Sequence, residues 1–167
     1  EVTDEVRWNA WSDDLFKNAG IDGKPVLLSI EARWQYESQT LRLDLYQDKA
    51  FAKRVNTAFV PVRVDADQRP DIVRRYAPDG VPAVLLLSPG GVPLQDPQSA
   101  LPYSGLAANA ALLRQQCEGV AERLSRGGSL QELLSPMPEP APLHTAEKNV
   151  FGDEYVRSIL KAIDSRY

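Results

Sequence analysis

The stretch Val26-Leu27-Leu28-Ser29-Ile30 constrains this chain most. It shows no polar alternation, the pattern of a central strand covered on both faces. A strand of that kind needs helices above and below it, so the chain is expected to be an α/β protein. It breaks directly into Glu31-Ala32-Arg33-Trp34-Gln35-Tyr36-Glu37-Ser38, a polar loop flanked by aromatic residues, and then into a helix. In α/β proteins chemistry gathers at such a junction, because free backbone N–H groups and the helix dipole converge there. This junction holds no thiol, no histidine and no phosphate-cradling glycine.

The flanking sequence supplies the other layers. Ser12 caps a first helix, with Asp13 and Asp14 in its first turn and Gly20 and Gly23 closing it. Trp8, Trp11 and Leu15 recur at helical spacing, and core packing is the plainer reading for them than a tryptophan-lined site. Residues 38–56 read as helix interrupted near Gln47-Asp48, with Leu41 and Leu45 on one stripe and Phe51, Ala52 and Val55 on the next. Asp48 is expected to cap the second segment. Phe59 to Asp65 is a second strand, where Pro61 must lie at a bulge or face outward. Asp71 is expected to cap a short helix ending at Tyr76.

Gly80-Val81-Pro82 precedes a third strand, 83–87. Ser88-Pro89-Gly90-Gly91 turns the chain, and Val92-Pro93-Leu94 starts a return strand. Leu106 to Leu124 reads as a long helix with Ala110, Leu113, Cys117, Val120 and Leu124 on one stripe. Cys117 is therefore expected to be a small core residue. Gly127-Gly128 stops that helix, and Ser129-Leu130-Gln131-Glu132 is a capping box.

Three regions follow: a domain over 1–134, a proline-rich linker or strap over 135–150, and an amphipathic helix over 151–167. The strap holds four prolines between Ser135 and Pro142. The last helix carries Val156, Ile159, Leu160 and Ile163 on one face. It either packs back on the domain or begins a further one. The chain opens at Glu1 without methionine, which suits a mature or a trimmed chain.

The order is helix, strand, helix, strand, short helix, strand, strand, helix. A β-α-β unit followed by a β-β hairpin and a closing helix is the thioredoxin topology, with a central mixed sheet flanked by helices. Pro82 stands where that fold places a cis-proline across the sheet from the active-site loop.

The chain resembles the thioredoxin-like N-terminal domain of the YyaL-type and spermatogenesis-associated proteins. Phe59-Val60-Pro61-Val62-Arg63-Val64-Asp65 and Arg69-Pro70-Asp71-Ile72 carry the resemblance. Lys24-Pro25-Val26, Ser29-Ile30, Asn56, Gly80-Val81-Pro82 and Ser88-Pro89-Gly90-Gly91-Val92-Pro93 support it. It runs over residues 7 to 105. Counted without gaps from Ser29 to Asn56, the family's C-x-x-C falls on Gln35-Tyr36-Glu37-Ser38. Both sulfurs are missing. Dithiol exchange needs one thiolate to attack and a second thiol to resolve the mixed disulfide. The resemblance thus implies the scaffold with a degenerate, redox-inactive loop. In that family a helical barrel similar to sugar-processing enzymes often follows the domain.

Other chemistries find little footing. Ser38 as a nucleophile needs a base, and the single histidine, His144, lies beyond the strap. One cysteine and one histidine are too few for a zinc or transition-metal site. Asp65-Ala66-Asp67 with Asp71 lacks the glycine and distal glutamate of a calcium loop, and an Arg69–Asp71 ion pair at a helix start is the plainer reading. Gly90-Gly91 is a hairpin turn rather than a phosphate loop. No cofactor is implied. A net charge of −4 without a basic block argues against nucleic acid. No apolar run nears the ~20 residues of a bilayer span. Cysteine scarcity suits the cytosol, which is slightly favoured, and equally a disulfide-free periplasmic domain.

A surface is left. Trp34, Tyr36, Val81 and Pro82 are expected to cluster as a peptide-binding patch beside the vestigial loop Gln35, Tyr36, Glu37 and Ser38. The plainer alternative is that the two aromatic residues merely fill space. The expected function is a non-catalytic module that binds a protein or peptide, or serves as accessory domain of a larger protein. The enzyme-class alternative is a domain that helps an attached helical barrel act on a sugar-like substrate. A weaker one is one-thiol redox chemistry through Cys117.

Overall fold

The computed structural model describes residues 5–96, 102–106 and 109–134. The expected strap, the C-terminal helix and His144 lie outside the described residues. The elements run α1 (Asp13–Asp22), β1 (Val26–Glu31), α2 (Tyr36–Leu41), a π-helical turn (Arg42–Tyr46), α3 (Lys49–Ala58) and β2 (Val60–Asp65). After these come α4 (Pro70–Tyr76), β3 (Ala83–Leu87), β4 (Ser104–Leu106), α5 (Ala110–Ser125) and a 3-10 turn (Leu130–Glu132). The sheet order is β2-β1-β3-β4. β1 pairs parallel with β2, from Val26 opposite Val60 to Glu31 opposite Asp65, and antiparallel with β3. This is the β-α-β, β-β, α order expected. No helix among the described residues is long and apolar enough to cross a membrane.

β1 is central because all six of its residues are buried. Successive side chains of a strand point to opposite faces. Leu27 joins one core, with Leu45, Tyr46, Phe51 and Val55 from the π turn and α3, and Leu113, Cys117 and Val120 from α5. Val26, Leu28 and Ile30 join a second core, with Val62, Val64, Ile72 and Tyr76. Burying each large aliphatic side chain contributes about 1.5–3 kcal/mol, so the two cores together hold the sheet between its helices.

Local signals set the helix ends. Ser12 accepts the Leu15 N–H at 3.2 Å, and Gly23, at φ 66°, ends α1 in the left-handed conformation that glycine adopts freely. Gly20 lies inside α1 and does not close it. Asp48 caps α3 by accepting the Phe51 N–H at 2.9 Å, while its other oxygen takes Arg114 of α5 at 2.7 Å. Asn109 caps α5 by accepting the Ala111 and Leu112 N–H groups. Ser129 accepts from the Gln131 N–H and opens the 3-10 turn.

Three further expectations need correction. Neither Trp8 nor Trp11 lies in α1, which starts after its cap Ser12. Asn9 docks on the outer edge of β2, its N–H on Pro61 O at 3.0 Å and its carbonyl taking the Arg63 N–H at 3.1 Å. That extended segment sends Trp8 against Tyr46 in the first core, while Trp11 packs on Phe16 and Tyr76 at the second. Asp71 does not cap α4. Arg69 holds the cap position, Pro70 the first turn, and Asp71 folds back on Arg69. Leu106 does not begin α5: it ends β4, which pairs with Ala83–Leu85. The return from β3 is therefore split between isolated bridges, Leu87 to Pro93 among them, and β4. Pro61 takes the second of its two expected placements and faces outward. It stands in register opposite Leu27 on the edge strand, with its nitrogen turned away from β1.

Candidate functional site

The loop after β1 begins with a buried carboxylate. Glu31 is 2% exposed and lies at the carboxyl end of the parallel pair β1–β2. Its Oε1 meets Arg42 Nε at 3.0 Å and its Oε2 meets Arg63 Nε at 2.6 Å. Arg63 lies over the Trp8 ring, 4.6 Å from its centroid. Next along the same face of β1, Ser29 accepts the Tyr46 hydroxyl at 2.7 Å. Burial drives the Tyr46 phenol well above its ordinary pKa, and the Glu31 carboxylate adds to this. Arg42 and Tyr46 are the first and last residues of the π turn, a rare element that recurs at functional sites. A cavity of about 290 Å³ opens among Trp8, Glu31, Arg33, Arg42, Arg63 and Asp65.

From Glu31 the loop is fastened to the turn after β2. The Ala66 N–H donates to Glu31 O at 2.9 Å, Arg33 pairs with Asp65 at 3.5 Å, and Trp34 Nε1 donates to Asp67 Oδ2 at 3.0 Å. Gln35 occupies the cap position of α2. Ser38 stands a turn further in. It is buried, and its Oγ accepts the Ala32 N–H at 3.2 Å. Its hydroxyl also reaches Gln35 Oε1, at 3.5 Å. The serine at this position therefore holds the loop closed, and no base hydrogen-bonds to it among the described residues.

Trp34 and Tyr36 are 71% and 76% exposed, so neither fills the core. The expected cluster is looser than the sequence suggested. Trp34 leans toward Asp67, and no ring contact joins it to Tyr36 among the described residues. The Val81–Pro82 bond is cis, Pro82 is buried, and Val81 packs at the edge of the second core. Glu37 is exposed. Cys117 is buried in the first core on α5 and is not part of the loop. Burial pushes its thiol up to about 12, with Glu118 adding to the shift.

In the sequence Glu31 reads as the start of a polar loop, and its buried network goes unseen. The signal was present. Ser29, Glu31, Arg63 and Asp65 alternate onto one face of the two parallel strands, which sets Glu31 beside Asp65 and diagonal to Arg63.

Residues 1–96 match the family model described as "Protein of unknown function, DUF255", Thioredox_DsbH. The chain belongs to this family. Spermatogenesis-associated protein 20 of Mus musculus is 26% identical over 109 residues, 60% of this chain and 14% of that protein. Its Homo sapiens counterpart is 27% identical over 71 residues, 42% of this chain and 9% of that protein. "Uncharacterized protein B0495.5" of Caenorhabditis elegans is 28% identical over 71 residues, 42% of this chain and 10% of that protein. The chain thus spans about a tenth of the length of the curated relatives it matches. A thioredoxin from Thermus thermophilus matches with a TM-score of 0.52 at 16% identity, covering 71% of this chain and 89% of its own. A structure described as "DsbH Oxidoreductase" matches at 0.52 and 16%, covering 68% of this chain and 85% of its own. These likenesses carry the fold, which is thioredoxin-like. The DUF255 match agrees with the resemblance read from Phe59–Asp65 and its neighbours.

Proposed function

We propose that this DUF255 domain is a recognition module whose loop surface, Trp34 and Tyr36 with Val81 and Pro82 behind it, binds a protein or peptide without dithiol chemistry. The observation that carries this reading is the exposure of Trp34 and Tyr36, 71% and 76%, on a loop held by buried hydrogen bonds. Large aromatic side chains left in solvent on a fixed frame are the usual anchors of an interface. Absent thiols support the other half. Gln35 and Ser38 offer no sulfur, and the single Cys117 is buried and held protonated.

Capture from lysate of the source organism tests this, with the parent domain and the double variant Trp34→Ala, Tyr36→Ala as baits. The parent is expected to retain a partner that the variant loses. Equal recovery by both would end the proposal. Labelling of Cys117 by a thiol reagent is expected to be slow in the folded chain at pH 8. Rapid labelling would revive one-thiol chemistry.

The length of the relatives supports a second reading, in which the domain is an accessory part of a longer enzyme. There it would help shape the site of an attached helical barrel acting on a sugar-like substrate. Activity of the longer protein that survives deletion of residues 1–134 would end that reading.

A further inference from the structure

The groove between α3 and α5 stands apart from the loop surface. Its floor is made by Ala58, Ala121 and Leu124, and its rim by Lys24, Lys53 and Arg54. It encloses about 500 Å³, and no carboxylate lines it among the described residues. A neighbouring cleft shares Lys53 and adds Arg7 and Lys49, with Glu5 as its one acid among the described residues. None of these five cations takes part in an ion pair among the described residues, whereas Arg33, Arg42, Arg63, Arg69, Arg114 and Arg126 all do. On a chain of net charge −4, this unpaired positive face is a local excess.

We propose that this groove docks an acidic amphipathic helix of a partner protein. The shape selects the occupant. Small residues on the floor sink it between two helices, and the lysine and arginine stems extend its apolar walls. A third helix laid there buries its apolar face on Ala58, Ala121 and Leu124 and sets its flanking acids against Lys24, Lys53 and Arg54. A membrane surface calls for a protruding apolar face, and this one is concave. Single-stranded nucleic acid calls for aromatic platforms, and neither cleft offers a ring among the described residues. Gly23 and Lys24 place the groove at the amino end of β1, while the recognition loop leaves its carboxyl end. A six-residue strand separates the two sites by about 20 Å at ~3.3 Å per residue, so both can be occupied at once.

The test uses an 18-residue helical peptide with leucines along one face and glutamates flanking them. Fluorescence anisotropy against the full chain reads binding at low and high salt. The glutamate peptide is expected to bind, more weakly at high salt. Lys53→Glu with Arg54→Glu is expected to weaken it by about tenfold or more, as is Ala50→Trp, which fills the groove from an exposed position on α3. Lys17→Glu on α1 is expected to change nothing, and circular dichroism checks that each variant folds. Equal binding of a peptide with lysine for glutamate would overturn the proposal. So would equal binding with serine for leucine, since charge alone would then suffice. Preference for phosphatidylglycerol vesicles or a single-stranded oligonucleotide over the peptide, abolished by the same reversal, would reassign the face and overturn it too.

Discussion

Leu28 and Ile30, on one face of β1, lie among Val62, Val64 and Ile72. Ser29 and Glu31, on the other face, meet Tyr46, Arg42 and Arg63. The two faces are equally buried, so exposure does not distinguish them. What differs is the kind of neighbour each requires. An apolar face needs volume, and a modest change in shape is absorbed by its surroundings. A buried polar face needs every partner in place, because a group left alone keeps its full desolvation cost.

Glu31→Ala is the change that strains this contrast most. It leaves Arg42 and Arg63 beside an empty site, and removing one member of a buried ion pair costs about 3–5 kcal/mol. Urea unfolding is expected to show a loss in that range. A loss under about 1 kcal/mol would mean that water satisfies the guanidinium groups and the polar face is not a closed network. Tyr46→Phe is next. It removes the 2.7 Å hydrogen bond to Ser29 and leaves that buried hydroxyl without its donor, for an expected loss of about 1–2 kcal/mol. Ile30→Val on the apolar face removes one methylene and is expected to cost about 1 kcal/mol. If Ile30→Val cost more than Tyr46→Phe, pairing would not be the stricter demand.

The smallest effect belongs to an exposed pair. The Arg69 guanidinium, bound to Asp71 at 2.9 and 3.0 Å, holds that carboxyl at about 2, below its ordinary 3.8. The folded form is therefore favoured by this pair above about pH 4, and the contribution disappears as pH falls through about 2. Salt screens such a surface pair, so its share of stability is slight. An NMR titration of the Asp71 carboxyl checks it. A midpoint near 3.8 would show that the pair does not persist in solution.

The order of elements was readable because burial period and caps agreed with each other at Ser12, Asp48, Val26–Ile30 and the α5 stripe. Readings failed where two signals shared one spacing. Trp8 and Trp11 sit three apart, which suits a helix, but the backbone of Asn9 pairs with β2 instead. β4 is three residues long and contains Gly105 at φ 110°, too short and too permissive to leave a pattern. Of the candidate site, the loop and its exposed aromatic residues were legible. The Glu31 network was not, because a lone glutamate after a strand usually means solvent, and only the register with β2 turns it inward. The groove between α3 and α5 was illegible for a similar reason: its cations lie on separate elements and never form a run.

The loop after β1 is tied to the turn after β2 through Ala66, Asp65 and Asp67. That fastening divides the work of the two aromatic residues. Immobilising a rotamer-rich side chain at an interface costs about 0.5–1.5 kcal/mol of lost freedom. Trp34, held through its indole N–H, gave up much of that freedom when the chain folded. Tyr36, without such a tie among the described residues, keeps it. In the recognition module proposed above, Trp34 would thus be the pre-set half of the pair, suited to fixing the pose, and Tyr36 the adjustable half.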